Sequence, residues 1–229
     1  MLSLKQSLSL NSIRSLGSAW QPSDEGARLI AWYKNKEGII LNGSDVSKWA
    51  DSSGNEHDMV QATASEQPAY NASTGALTFD SSATQNLQST SDIELSGEFT
   101  VGIRLFPTLN NVVVIADNNQ PNEFFKIMNS TDLRFKTDNN EVDLSIDSGS
   151  LTSDMYLVIT RNASNLITLH KNGVAQADTE ILAGTAEINA IGVRRTDNNP
   201  YNGTISEIQI FNRTSIQLTL DVNNYLSSI

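Results

Sequence analysis

The chain has 229 residues, contains no cysteine and carries a formal net charge of −11 at pH 7, from 15 Lys and Arg against 26 Asp and Glu. The lack of cysteine excludes disulfides, thiolate metal ligands and cysteine nucleophiles, and the acidic excess argues against partners that need clustered Lys and Arg, namely nucleic acid and anionic membranes. The length suits one large domain with or without an extension, and we find neither a bilayer-spanning run nor the apolar core of a secretion signal.

Residues 1–20 are predicted to form an extended docking arm, separate from a folded domain over residues 21–229. Four leucines in this stretch share one parity, as along an extended strand: Leu2, Leu4, Leu8 and Leu10. Such a short arm cannot bury these side chains by itself, so we expect it to be anchored on a neighbouring subunit. The alternative is a frayed terminus.

The middle of the chain is predicted to be all β. Short apolar segments bounded by Asn, Asp or Gly recur at intervals of about ten residues, which is the spacing of strands in a sandwich or barrel. Between Phe99 and Phe106 apolar and other residues alternate, which predicts a strand with one buried face. The continuously apolar run from Val112 to Ala116 predicts a strand buried on both faces.

Two further signals concern the C-terminal third. Asn172 and Gly173 lie between two strand-like segments, and both residue types tolerate the positive φ that a type I′ hairpin turn requires. In the last strand Ile205 and Ile208 differ in parity. This predicts a bulge near Ser206, or a strand that is apolar on both faces.

The end of the chain is predicted to be a short helix. Four apolar side chains form one stripe at helical spacing: Leu218, Val222, Tyr225 and Leu226. Thr214 or Ser215 supplies the N-terminal cap, because a hydroxyl can accept a hydrogen bond from a free backbone N–H of the first turn.

The last strand and its flanks resemble a known family. The segment Tyr201-Asn202-Gly203-Thr204-Ile205-Ser206-Glu207-Ile208-Gln209-Ile210-Phe211-Asn212-Arg213, with Ile191-Gly192-Val193 before it and the helix after it, resembles the laminin-G-like, concanavalin A-like jelly-roll superfamily. The resemblance covers about residues 95–226. It implies an all-β fold: a two-sheet antiparallel jelly-roll sandwich with a short C-terminal helix.

The N-terminal part carries a second resemblance. Segments such as Leu29-Ile30-Ala31-Trp32-Tyr33 and Val46-Ser47-Lys48-Trp49-Ala50-Asp51 look like jelly-roll proteins of tailed bacteriophages, especially marine ones. This resemblance implies a non-enzymatic virion structural protein, a capsid decoration, fibre or tail-associated module located on the virion. Its partners would be other virion proteins and further copies of itself. The alternative is a carbohydrate-binding adhesin that contacts host-surface glycans through its rim loops, and a third hypothesis is a glycanase.

The residues favour the absence of catalysis. A Ser-His-Asp arrangement needs a histidine, and the two in the chain, His57 and His170, are predicted to lie in a polar loop and at a solvent-facing strand end. Glu141, Asp143 and Asp147 share one face of a strand, as in some glycan-hydrolysing jelly rolls. Ile146 stands where that motif has its second catalytic glutamate, so we expect a solvated strand face.

We expect no cofactor. Asp-Asn-Asn occurs three times, at residues 117–119, 138–140 and 197–199. Oxygen-rich loops suit Ca²⁺, which related jelly rolls bind at a rim, and calcium is therefore the alternative. Turn formation is the simpler interpretation, because Asp and Asn tolerate left-handed backbone conformations.

Glycan binding is predicted at one rim loop, since sugars stack on exposed aromatic rings beside polar groups. The residues of that loop are Asp197, Asn198, Asn199 and Tyr201. Trp32 and Trp49 are instead expected to belong to the core of the sandwich or to its cover.

Overall fold

The computed structural model describes residues 19–120, 124–195 and 199–229. In that part of the chain there are seventeen strands and one α-helix, with short 3₁₀ turns at Pro22–Arg28, Ala64–Glu66 and Ser81–Ala83. The strands are β1 (Leu29–Tyr33), β2 (Ile39–Asn42), β3 (Asp45–Trp49), β4 (Met59–Val60), β5 (Ala69–Asn71), β6 (Ala76–Phe79), β7 (Leu87–Leu95), β8 (Phe99–Pro107), β9 (Val112–Ala116), β10 (Phe124–Ile127), β11 (Asp132–Thr137), β12 (Asn140–Ser145), β13 (Met155–Arg161), β14 (Leu166–Lys171), β15 (Val174–Ile181), β16 (Ala186–Ile191) and β17 (Gly203–Phe211); the helix is α1 (Ile216–Ser227).

The strands form two layers of antiparallel structure. One layer, which we call the helix-side sheet, runs β15-β14-β13-β8-β17, with β1 and β6 both paired to β17 and β5 paired to β6. The opposite layer runs β12-β11-β10-β9-β16-β7-β4-β3-β2. A pairing between β3 and β5 joins the layers. The predicted two-sheet, all-β architecture with a C-terminal helix is therefore confirmed.

The main core lies between the two layers. Val101 and Ile103 of β8 face inward from the helix-side sheet, and Phe125 and Phe135 of the opposite sheet stack with ring centroids 5.0 Å apart. The run from Val112 to Ala116 is buried throughout, as its unbroken apolar composition predicts. Trp49 is fully buried in the same core.

A second, smaller core lies on the outer face of the helix-side sheet, where α1 packs against β8 and β13. Leu218, Val222 and Leu226 of the helix are fully buried there, and Trp32 packs with them. The helix therefore covers part of the outer face of β8, and the prediction that this strand buries only one face is wrong. The Ser215 hydroxyl accepts a hydrogen bond from the Leu218 N–H at 3.0 Å, which confirms the cap.

The predicted turn and bulge are both present. Asn172 and Gly173 have φ values of 50° and 79° and connect β14 to β15. The register of β17 against β8 shifts between Ile205 and Glu207, so the bulge lies at Ser206.

Trp20 packs against the smaller core, with its ring 6.3 Å from Phe211 and 6.2 Å from Tyr225 between centroids. The folded body therefore includes Trp20, the last residue of the predicted arm. The four arm leucines, Leu2, Leu4, Leu8 and Leu10, lie outside the described residues, so the docking arm and its partners stay a prediction.

Candidate functional site

The rim loop predicted to bind glycans does not present an aromatic ring. Tyr201 is fully buried, its ring packs edge-on against Phe79 at 5.8 Å, and its hydroxyl donates to the Thr204 carbonyl at 3.1 Å. The expectation of an exposed ring at Tyr201 is wrong, because the residue fills the core instead. Asn199 accepts a hydrogen bond from the Lys126 ammonium at 3.1 Å, while Asp197 and Asn198 lie outside the described residues.

A different polar depression lies on the outer face of the helix-side sheet, beyond the C-terminal end of α1. We call it the outer groove; its volume is about 590 Å³, within the range of small-molecule sites. Its floor is a row of directly opposed residues, Thr78 on β6, Thr204 on β17 and Phe106 on β8. Cross-strand partners point to the same side of a sheet, and Phe106 is 40% exposed.

One rim of the outer groove is the turn at residues 71–75 between β5 and β6. The Asn71 side-chain oxygen accepts hydrogen bonds from the Ser73 N–H at 3.0 Å and the Ser73 hydroxyl at 2.7 Å. The Asn35 amide donates to the Thr74 carbonyl at 3.0 Å and to the Ser206 carbonyl at 3.2 Å. Asn35 therefore ties this rim to the bulge in the floor.

Gly75 shows how closely these segments approach. It has a φ of 77°, and a Cβ placed on it would lie 2.4 Å from the Asn35 Nδ2 atom. A larger residue there would strain the backbone and push the rim away from Asn35. The groove wall consequently depends on glycine at this position.

The other rim is formed by Arg104 and the end of the chain. The Arg104 guanidinium donates to the Leu226 carbonyl at 3.1 Å and to the Asp154 carboxylate at 3.1 Å. The bond to Leu226 holds the C-terminal end of α1 against the sheet, and Ile229 contributes an exposed apolar edge. Two cationic side chains, Lys36 and Arg104, therefore line the groove, and the charge of Arg104 is partly balanced by Asp154.

A buried carboxylate lies next to the groove floor. Glu207, which faces Arg104 across the β17–β8 pair, is fully buried. It accepts hydrogen bonds from the Trp32 indole N–H, from the Asn35 backbone N–H at 2.5 Å and from the Gln209 amide at 3.1 Å. Burial raises the pKa of Glu207 to about 7, although the three hydrogen bonds and the nearby Lys34 act in the opposite direction.

The outer groove combines an exposed ring with hydroxyl and amide groups in a fixed arrangement. Phe106 offers an apolar face, and Thr78, Thr204 and Asn71 offer donors and acceptors around it. This combination suits a ligand with apolar C–H faces and many hydroxyls, because stacking and hydrogen bonding can be satisfied together. The sequence patterns above do not predict this site, although the aromatic residue at an outward position of the β8 alternation, Phe106, is a signal for it.

The acidic strand face is not an acid–base pair. Arg134 binds both Asp143 oxygens, at 2.7 and 2.8 Å, and also contacts Glu141 at 2.8 Å. Ile146 is buried on the other side of the chain. Glu141 and Asp143 are thus paired with Arg134 at a partly exposed strand face, and the pairing is an addition to the solvated strand face that the sequence predicts.

Neither histidine is among the residues that line the outer groove. His57 contacts the Ser91 hydroxyl through Nδ1 at 3.1 Å. His170 is half-buried on β14, in a second depression beside the N-terminal end of α1, and burial lowers its pKa. It lies near the end of its strand, as predicted, but it is half-buried and not solvent-facing, because residues of α1 line the same depression.

Two of the Asp-Asn-Asn triplets, at residues 117–119 and 138–140, lie in a turn or at a strand end, and of the third only Asn199 belongs to the described residues. Asp138 is in the β11–β12 turn with a φ of 49° and accepts a hydrogen bond from the Thr185 N–H at 3.0 Å. Asp117 is fully buried after β9, where one of its oxygens accepts from the Asn189 amide at 2.7 Å. Within the described ranges, no group of three or more His, Cys, Asp or Glu side chains gathers as a metal site. The prediction of no cofactor and its alternative, calcium binding, are therefore both untested.

Comparisons with known proteins support the fold. No family model matches the chain, and no curated protein matches it significantly. Among solved structures, the binding domain of Paraclostridial Mosquitocidal Protein 1 superposes with a TM-score of 0.62 at 14% identity, over 91% of this chain and 53% of that one. Domain 4 of AbnA, an extracellular GH43 arabinanase from Geobacillus stearothermophilus, in complex with arabinotriose, gives a TM-score of 0.56 at 17% identity, over 86% and 98%.

A further neighbour is the binding domain of Botulinum Neurotoxin DC in complex with SialylT, with a TM-score of 0.55 at 16% identity, over 88% of this chain and 52% of that one. The chain thus spans about half the length of the two toxin domains. At these identities the likeness establishes the fold: an all-β sandwich of the kind found in binding domains. Among the described residues, the only helix of several turns is α1, and none is long and apolar enough to cross a membrane.

Proposed function

We propose that the chain is a non-catalytic carbohydrate-binding module whose ligand lies in the outer groove. The observation that carries the proposal is the groove floor, where the exposed ring of Phe106 stands in register with the Thr204 and Thr78 hydroxyls. Glycans have apolar C–H faces and hydroxyl groups. The ring can pack against the C–H faces, and the threonine hydroxyls can form hydrogen bonds with the sugar hydroxyls.

Two further observations support the proposal. The rims are held by hydrogen bonds from Asn35 and Arg104 before any ligand arrives, so little ordering is needed on binding. The structural neighbours named above include one domain in complex with arabinotriose and one with SialylT. A binding module is therefore favoured over the virion structural role, which stays a prediction that rests on sequence resemblance.

Phe106→Ala tests the proposal on a glycan panel that includes arabinotriose and SialylT. We expect wild-type protein to bind at least one glycan, and the variant to bind it about tenfold more weakly, because ring stacking contributes about 1.5 kcal/mol. Affinity would be measured by titration calorimetry after an array screen.

Val174→Ala is the matched control, since Val174 is 63% exposed on β15, outside the groove. Its glycan affinity should equal that of wild type. If no glycan on the panel binds, or if both variants lose affinity to the same degree, the outer groove is not a glycan site.

A further inference from the structure

Glu207 connects the interior of the molecule to the rim of the outer groove. Its Oε2 atom accepts the Asn35 backbone N–H at 2.5 Å, and the Asn35 side chain in turn holds the Thr74 and Ser206 carbonyls. Its Oε1 atom accepts from the Trp32 indole and from the Gln209 amide. One buried carboxylate therefore fixes both ends of the segment that leads from β1 into the groove wall.

We infer that Glu207 is the positioning residue of the outer groove, and that its protonation loosens the Asn35 rim and weakens ligand binding. This inference rests on the proposed function for its ligand, whereas the protonation of Glu207 and the response of Asn35 do not depend on it.

The hydrogen bonds differ between the two protonation states. An ionised carboxylate makes charge-assisted hydrogen bonds, which are roughly twice as strong as neutral ones. Protonation removes that assistance from the bond to the Asn35 N–H. The Gln209 side-chain oxygen can accept the added proton's hydrogen bond, because it is buried and has no hydrogen-bond partner among the described residues. A flip of the Gln209 amide would present that oxygen to the protonated carboxyl, so both states can be accommodated.

Glu207 is expected to titrate at a pH that can be reached in solution experiments on the folded protein. Burial raises the pKa of Glu207 to about 7. The charged and titratable groups that face it come from three parts of the chain: Lys34 directly after β1, Arg104 on β8 and Tyr225 on α1. Lys34 favours the ionised carboxylate, Arg104 is engaged by Asp154, and burial raises the pKa of Tyr225, which stays neutral in this range.

The test follows the ¹H–¹⁵N NMR signals of the Trp32 indole and the Asn35 backbone amide in the full chain from pH 5.5 to 8.5. We expect both signals to titrate with one shared midpoint near 7 and to be insensitive to pH in Glu207→Gln. Arabinotriose and SialylT affinities measured over the same range should rise by up to about fivefold with pH in wild type and stay low and flat in the variant.

Glu187→Gln is the control, because Glu187 also has a raised pKa but lies on β16 in the opposite sheet. It should preserve both the NMR titration and the pH dependence of affinity. Shared titration without any glycan binding supports the positioning role and contradicts the proposed function. The inference is overturned if the Trp32 and Asn35 signals titrate with different midpoints. It is also overturned if the glycan affinity does not change with pH although the Asn35 signal titrates.

Discussion

Arg161 places a positive charge in the interior, where the contacts of its guanidinium within the described part of the chain are backbone carbonyls and an aromatic ring. The residue is fully buried, and its guanidinium donates to three backbone carbonyls at 2.7–2.8 Å, those of Leu95, Gly97 and Gly184. It also lies over the Phe99 ring at 4.7 Å. Carbonyl dipoles and the ring face thus replace the counter-ion, and the side chain joins the segment after β7 to the segment before β16.

Arg161→Met should lower the free energy of unfolding by about 3 kcal/mol or more, because it leaves buried carbonyls without donors. Urea denaturation measures the change. Arg134→Met is the comparison: Arg134 lies in a partly exposed ion-pair cluster, and its loss should cost about 1 kcal/mol or less. Equal losses in the two variants would show that the Arg161 carbonyl contacts do not stabilise the fold.

At the level of single residues, the sequence shows which side chains could bind a ligand, but not where in the fold those side chains lie. A tyrosine beside Asp and Asn residues is typical of a binding loop. Tyr201 is nevertheless buried, because it packs against Phe79, which is more than a hundred positions away in the chain. Phe106 shows the opposite case, since its outward parity on β8 is visible in the sequence. Its function as a groove floor depends on the register of three strands, which no local pattern contains.

At the level of elements, α1 reaches the sheet because β8 carries a glycine beneath it. A Cβ on Gly102 would lie 2.6 Å from the Val222 Cγ1 atom and 3.1 Å from the Leu226 Cδ1 atom. The helix backbone can therefore approach β8 closely, and its apolar stripe is buried on contact. This packing also places the C-terminal end of α1 at the rim of the outer groove.

Gly102→Ala should destabilise the protein by about 1–3 kcal/mol, because the added methyl overpacks the smaller core. Gly97→Ala is a matched control, since a Cβ at Gly97 meets nothing within 4 Å. It should change stability by less than about 0.5 kcal/mol. Thermal or urea unfolding measures both changes in stability. If Gly102→Ala were as stable as wild type, α1 could move away from β8 without loss of stability.

Strand and turn signals predict most elements, because period-two alternation and Asn-Gly turns are local properties of the chain. The Asn172-Gly173 hairpin, the bulge at Ser206 and the cap at Ser215 all follow from neighbouring residues. The pairing of β17 with β1, β6 and β8 does not, since those strands come from distant parts of the sequence. The outer groove forms where they meet, so its residues could not be assembled from sequence alone.

At the level of the whole molecule, Glu207 joins the two ends of the folded chain. Its partners Trp32 and Asn35 lie 175 and 172 positions earlier in the sequence. Its pKa is about 7 in the folded protein, against an ordinary value of 4.5. Between these two values the folded state keeps a proton that the unfolded state releases. The stability contributed by that proton is fully present below pH 4.5 and is lost as pH rises through about 7.

The free energy of unfolding of wild type, minus that of Glu207→Gln, should therefore fall by about 3 kcal/mol from pH 4.5 to 8. Urea unfolding at several pH values measures it, and subtraction removes groups common to both proteins, such as His170, whose lowered pKa acts with the opposite sign. Parallel pH profiles would mean that the pKa of Glu207 is the same in the folded and the unfolded protein. A falling difference would instead show that the ionised form, which holds the Asn35 rim more firmly, is reached at a cost to the stability of the entire fold.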